Sequence, residues 1–114
     1  MHQVRRINIE EGRDISEYLM AEISAFAEEI RSRMDTDRII LYGSVARGDF
    51  NEGSDVDLLI VADFKERFHK RPLDIFGITD LPVEPVCYTR QEFEELVKNK
   101  NPFVLSVCEE GILV

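Results

Sequence analysis

The chain has 114 residues, 44% of them apolar, and carries a formal net charge of −9. That length suits one domain with a sizeable core, while no apolar run approaches the ~20 residues needed to cross a bilayer. The acidic balance opposes non-specific binding to nucleic acid, which rests on Lys and Arg neutralising phosphates.

It fits a basic protein partner, or simply keeps a domain soluble. Residues 1–6 lack the apolar stretch of a secretion signal, so a cytoplasmic location is expected. Two cysteines, Cys87 and Cys108, are too few and too unpatterned for a zinc site and read as free, buried thiols.

Residues 4–9 read as a short strand, closed by Glu10, Glu11 and Gly12. Asp14 with Glu17 resembles a capping box. Ile15, Leu19, Ile23, Phe26, Ile30 and Met34 then form the apolar stripe of an amphipathic helix ending near Met34. Asp35, Thr36 and Asp37 make a turn. Residues 38–42 are nearly all apolar, which predicts a central strand covered on both faces. A short helix follows over 44–47, then a turn-rich return over 49–54. Residues 55–61 form a second strand that is acidic only at its start.

The segment 62–80 predicts a helix before or around Pro72, which forbids an unbroken one. His69 lies in a basic patch over 65–71, first a solvated face and second a phosphate or base contact. A third strand spans 83–88, and Pro82 and Pro85 place it at a sheet edge. Thr89 and Glu92 form a capping box for a helix whose apolar face is Phe93, Leu96 and Val97. That helix ends over 99–101. Pro102 opens a last helix, Gly111 stops it as a C-cap, and residues 112–114 are a short strand or a contact surface. The expected fold is α+β: one domain over 1–114 with its core at about 14–110. A mixed sheet of three to four strands carries helices mainly on one face.

Candidate chemistry gathers in the middle of the chain. Asp55 and Asp57 share one side of a strand, because side chains alternate faces. Two like charges so close raise each other's pKa, and a divalent cation is the usual way to offset that cost. Hard ions such as Mg²⁺ favour carboxylate oxygens and leave positions open for phosphate and water. Upstream, Gly43 and Ser44 leave an apolar strand and begin a helix, an arrangement that favours an anion. Ser44 is either a phosphate contact or an ordinary N-cap. Arg47, one turn on, reaches either a phosphate or a surface carboxylate, Asp49 or Asp55.

Gly43 and Ser44, ten residues, then Asp55, Val56 and Asp57 resemble the signature of the polymerase-beta-type nucleotidyltransferase superfamily. The flanks Tyr-Gly-Ser-Val-Ala-Arg-Gly and Ser-Asp-Val-Asp-Leu-Leu-Ile-Val are similar to those of the minimal nucleotidyltransferases, antitoxin partners of HEPN-domain toxins. The resemblance implies a Mg²⁺-dependent enzyme, with two ions, that moves AMP from ATP to a tyrosine of a HEPN-type ribonuclease toxin. It also implies that Asp55 and Asp57 hold metal and that Gly43, Ser44 and Arg47 hold the triphosphate. The family's third acid, which shares a metal and takes the acceptor's proton, falls on Glu84. Asp63, Asp74 and Asp80 sit outside a clear strand and are poorer candidates. Many members have Asp at that place, and the extra methylene of Glu84 moves the carboxylate by ~1.5 Å. Glu84 also reads as an exposed strand-edge acid. Two other functions fit: a binding module that neutralises a partner by complex formation, and a nucleotidyltransferase with a small-molecule acceptor. A homo-oligomer is compatible with all three.

Overall fold

The structure, a computed structural model, describes residues 9–51 and 53–114, with side chains described from Glu17 onward. The strand expected over 4–9 lies outside the described residues except for Ile9, which is helical. Helix α1 spans Ile9–Arg33. Glu10, Glu11 and Gly12 therefore close no strand, and Asp14 lies inside the helix rather than at its cap. One glycine costs a helix only ~1 kcal/mol. Stopping there would forfeit the cooperative hydrogen bonds of further turns. The stripe behaves as its spacing requires: Ile23, Phe26, Ala27 and Ile30 are at most 3% exposed, with Leu19 and Met34 packed beside them.

Four strands follow: β1 (Thr36–Tyr42), β2 (Val56–Ala62), β3 (Val83–Tyr88) and β4 (Ile112–Leu113). Their order is β3-β2-β1-β4. β1 runs antiparallel to β2 and β4, while β2 and β3 are parallel. The sheet is thus mixed, and β3 lies at an edge, where Pro85 can sit without a ladder donor on its free side. β1 starts inside the expected turn, and an irregularity between Thr36 and Arg38 absorbs Asp37.

Helices cover both faces of the sheet, not mainly one. On one face α1 packs on Ile39, Leu41, Leu58 and Ile60. On the other, Phe93 of α3 (Arg90–Lys98) and Val104 and Val107 of α4 (Pro102–Glu110) pack on Ile40, Leu59 and Val61. The continuous apolar runs of β1 and β2 demand this, since alternate residues of each strand point to opposite faces and both sets are buried.

The parallel β2–β3 crossover contains a 3-10 helix, Phe68–Asp74, with Pro72 inside. Arg71 belongs to no solvated basic face. It is 5% exposed, donates to the carbonyls of Glu66 and Cys87, and forms a forked pair with Glu92 at 2.5 and 3.2 Å. Glu92 also closes the expected capping box with Thr89. Cys87 is buried, but Cys108 is exposed. α4 buries the positions three apart, Val104 and Val107, which leaves Cys108 at the margin of the stripe. Val97 likewise lies at the rim of α3, 36% exposed. Gly111 ends α4 in an extended conformation, φ −77°, not a left-handed one. It is small for another reason: a Cβ there would strike Ile40 and the Val107 carbonyl.

Candidate active site

The antiparallel turn from β1 to β2 brings the end of one strand against the start of the other. Tyr42 pairs with Asp57, and Asp57 pairs with Glu84 on β3. Tyr42, Asp57 and Glu84 thus form one row across three strands. By alternation the row faces the same side as Leu59, Val61 and Tyr88, the side covered by α3 and α4. Asp55 precedes β2 and is exposed, Asp57 is half-buried, and Glu84 is exposed.

The connection carries its own turn chemistry. The Asn51 side chain accepts from the Gly53 amide at 2.8 Å, and the Ser54 hydroxyl accepts from the Asn51 amide at 2.9 Å. The Val56 amide donates to the Pro82 carbonyl at 2.8 Å. That bond fixes the start of β2 beside the run into β3, so Asp57 is delivered next to Glu84.

Helix α2 (Gly43–Arg47) starts at the opposite corner. Its N-cap position is Tyr42, with no side-chain cap. Ser44 is therefore inside the first turn, not the N-cap serine that one reading of the sequence expected. Gly43 has φ +78°, and a Cβ on it would collide with the Asp57 carboxylate. Gly43 and Asp57 are in that sense one feature: the missing side chain of one leaves the space that the other fills. Arg47 pairs with Asp49 at 3.3 Å and approaches Glu110 of α4 at 3.9 Å. Both are exposed surface pairs of small energetic weight, so the guanidinium is tethered lightly.

The electrostatics of the row are unfavourable as it stands. Burial, then the charges of Asp55 and Glu84, push the Asp57 carboxyl up, against an opposing pull from Arg47. Burial and the neighbouring Asp57, Tyr88 and Glu84 push Tyr42 up to about 12, so its phenol stays protonated. Sequence reasoning gave Tyr42 no part in the site. Its signal was available: the last residue of β1 must face the first turn of β2.

Among the described residues no three His, Cys, Asp or Glu side chains are grouped so that they could hold a metal ion. The acids supply hard oxygen donors along one open row. That suits an ion completed by substrate phosphates and water better than one caged by protein alone. The donor chemistry therefore fits a divalent cation near Asp57, whose carboxylate Gly43 leaves room for. A cavity of about 460 Å³ lies elsewhere, at the far end of β1 and β2, lined by Arg33, Asp35, Asp63 and Asp74 among others. It takes in none of the row, and its mixed charges have no counterpart in the motif.

Residues 23–110 match the family described as "Nucleotidyltransferase domain". A relative in Methanocaldococcus jannaschii, "Putative protein adenylyltransferase MJ0604", is 42% identical over 91 residues, covering 78% of this chain and 86% of the relative. A second from the same organism, "Putative protein adenylyltransferase MJ0141", is 68% identical over 25 residues, 22% of this chain and 25% of its own length. A crystal structure described as "a putative nucleotidyltransferase from Sulfolobus solfataricus" superimposes with a TM-score of 0.64 at 19% identity, covering 90% of this chain and 84% of that one. The last likeness concerns the fold; the first two carry the sequence kinship. The chain belongs to the nucleotidyltransferase domain family.

Proposed function

We propose that this protein transfers AMP from ATP to a protein hydroxyl, with Mg²⁺ as the resident cation and a tyrosine of a HEPN-type toxin as the acceptor. The observation that carries the reading is Asp57, set against Gly43 and paired across the sheet with Glu84, within the Gly43, Ser44, Asp55, Asp57 signature. The name given to the 42% identical relative favours a protein acceptor. The net charge of −9 favours a basic one. An acceptor of this kind would make the protein an antitoxin.

Each side chain then has a task. Gly43 leaves room for the Asp57 carboxylate beside the backbone that would meet the phosphates. Ser44 and the neighbouring amides hold the triphosphate, and Arg47 leaves its light tether to meet phosphate charge. Asp55, Asp57 and Glu84 would hold the cation, which when bound neutralises charge on the phosphates and on the leaving pyrophosphate. Glu84, exposed at the β3 end of the row, would accept the proton of the attacking hydroxyl. The products are an AMP–O–protein phosphodiester and pyrophosphate.

The test is transfer of radiolabel from ATP to protein, with Mg²⁺ and a HEPN-type acceptor supplied. Label on the acceptor with wild type, absent with folded Asp55→Asn/Asp57→Asn protein, is the expected result. Undiminished labelling by that variant would overturn the assignment of the acids. A stable complex with the acceptor but no label would favour stoichiometric neutralisation instead.

A further inference from the structure

Beside the row, on the same face of the sheet, lies a groove of about 430 Å³ lined by Phe68, Tyr88, Leu96, Glu92, Glu95 and Asn99. We propose that it is the docking site for an apolar side chain carried on a basic segment of the protein acceptor. The inference rests on the protein-acceptor reading above and adds to it where the acceptor is gripped.

The groove has a preformed apolar floor. Phe68 stacks on Tyr88 with ring centroids 5.6 Å apart and planes 24° from parallel. Beneath them Arg71 sits 5.8 Å from the Phe68 ring and is itself pinned by Glu92 and two carbonyls. Phe68 is nonetheless 49% exposed. A large aromatic side chain held rigid and left half uncovered is what a binding hot spot requires, since little freedom remains to be lost when a partner arrives. A volume of this size accepts one large side chain with its immediate neighbours.

Charge selects the partner. The charged residues lining the groove are both carboxylates, Glu92 and Glu95. Glu92 is matched by Arg71. Glu95 is exposed, and its side chain accepts a 3.5 Å contact from the Gln91 amide, with no cation paired to it among the described residues. The rim therefore presents a carboxylate to Lys or Arg on an incoming chain, in a protein of net charge −9.

Position ties the groove to the chemistry. Tyr88 and Glu84 share one face of β3, four residues apart, roughly 13 Å at ~3.3 Å per residue. An extended segment anchored in the groove would bring a hydroxyl about four residues along to the row of acids.

The experiment measures binding of short synthetic peptides by fluorescence anisotropy. Each carries a tyrosine and, four residues away, a Phe or Leu flanked by Lys and Arg. Counterparts replace Lys and Arg with Glu. The basic peptides are expected to bind wild type and to bind Phe68→Ala and Leu96→Glu at least tenfold more weakly. Glu95→Lys should weaken the basic series and strengthen the acidic one. Asp55→Asn/Asp57→Asn protein should bind the basic series as wild type does, and all three groove variants should keep wild-type affinity for a fluorescent ATP analogue. Groove-dependent peptide binding, alongside no label on a HEPN-type acceptor in the transfer assay above, would sink the adenylyltransferase reading and leave the docking site standing. The docking site itself is overturned if no basic peptide binds, if the acidic series binds equally well, or if the groove variants bind as wild type. It is also overturned if those variants lose the ATP analogue instead, marking a base site, or if they abolish self-association, marking a contact between two copies.

Discussion

Replacing Gly43 with alanine should separate a functional close approach from ordinary backbone strain. Two costs are superimposed there. The first is conformational: Gly43 has φ +78°, and an L-residue in that region costs roughly 1–2 kcal/mol. The second is steric: the new Cβ would occupy the position of the Asp57 carboxylate. Gly48 provides the control, because it has φ +86° but nothing within 4 Å of an added Cβ. Gly48→Ala should therefore lose about 1–2 kcal/mol in urea unfolding and keep most of its transfer activity. Gly43→Ala should lose at least as much stability and also push Asp57 out of the row. A displacement of ~1 Å at a reacting group costs on the order of a hundredfold in rate. The assay is initial-rate AMP transfer alongside urea unfolding for both variants. Equal losses of activity in the two would refute the reasoning, since strain alone would then account for both.

Glu92→Gln keeps a capping side chain but removes the charge that faces buried Arg71, and should cost about 2–3 kcal/mol in denaturant unfolding. Hydrogen bonds from Arg71 hold the Glu92 carboxyl below its ordinary 4.5, so its contribution is complete above that pH and fades as pH falls through the lowered value. The acid limb of the stability profile should flatten in Glu92→Gln. Gly111→Ala, with no left-handed φ to relieve, should still cost about 1–3 kcal/mol by pressing on Ile40 and the Val107 carbonyl. Mg²⁺ should raise the unfolding midpoint of wild type but not of Asp55→Asn/Asp57→Asn, read by thermal scans with and without chelator.

The sheet was legible in the sequence because its signals are local and redundant. Residues 39–41 and 58–61 are unbroken apolar runs bounded by turn residues, and Pro82 and Pro85 marked β3 as an edge. The expected strands likewise put Asp57 and Glu84 near strand starts, where the register pairs them, while Asp55 lies just before β2. What sequence could not show depended on distant partners. Arg71 looks like one more cation in a basic stretch until Glu92, 21 residues on, closes over it. Gly111 looks like a left-handed cap until Ile40 is seen against it. Gly12 and Asp14 looked like punctuation, yet one weak breaker does not stop a 25-residue helix. The covering of both faces was implicit in the same apolar runs, for a strand buried on two sides needs two layers.

The acids at the head of β2 sharpen the link between fold and function. Asp57 is pushed toward the protonated form in the folded chain, so its ionisation at neutral pH works against folding. Its contribution to stability is largest below its unfolded pKa and disappears as pH rises through the raised folded value. Asn at this position should therefore fold at least as stably as Asp at pH 7, and lose that advantage when the comparison is repeated under acid conditions. A surface acid kept for stability would behave the other way. The β2 backbone around Asp57 is among the most buried in the molecule, with Leu58, Leu59, Ile60 and Val61 fully inaccessible. A well-packed strand can carry a destabilising carboxylate at its exposed end without unfolding. That is why the charge can sit at the start of β2, where the core supplies stability and the strand end stays open for the cation and triphosphate of the proposed reaction.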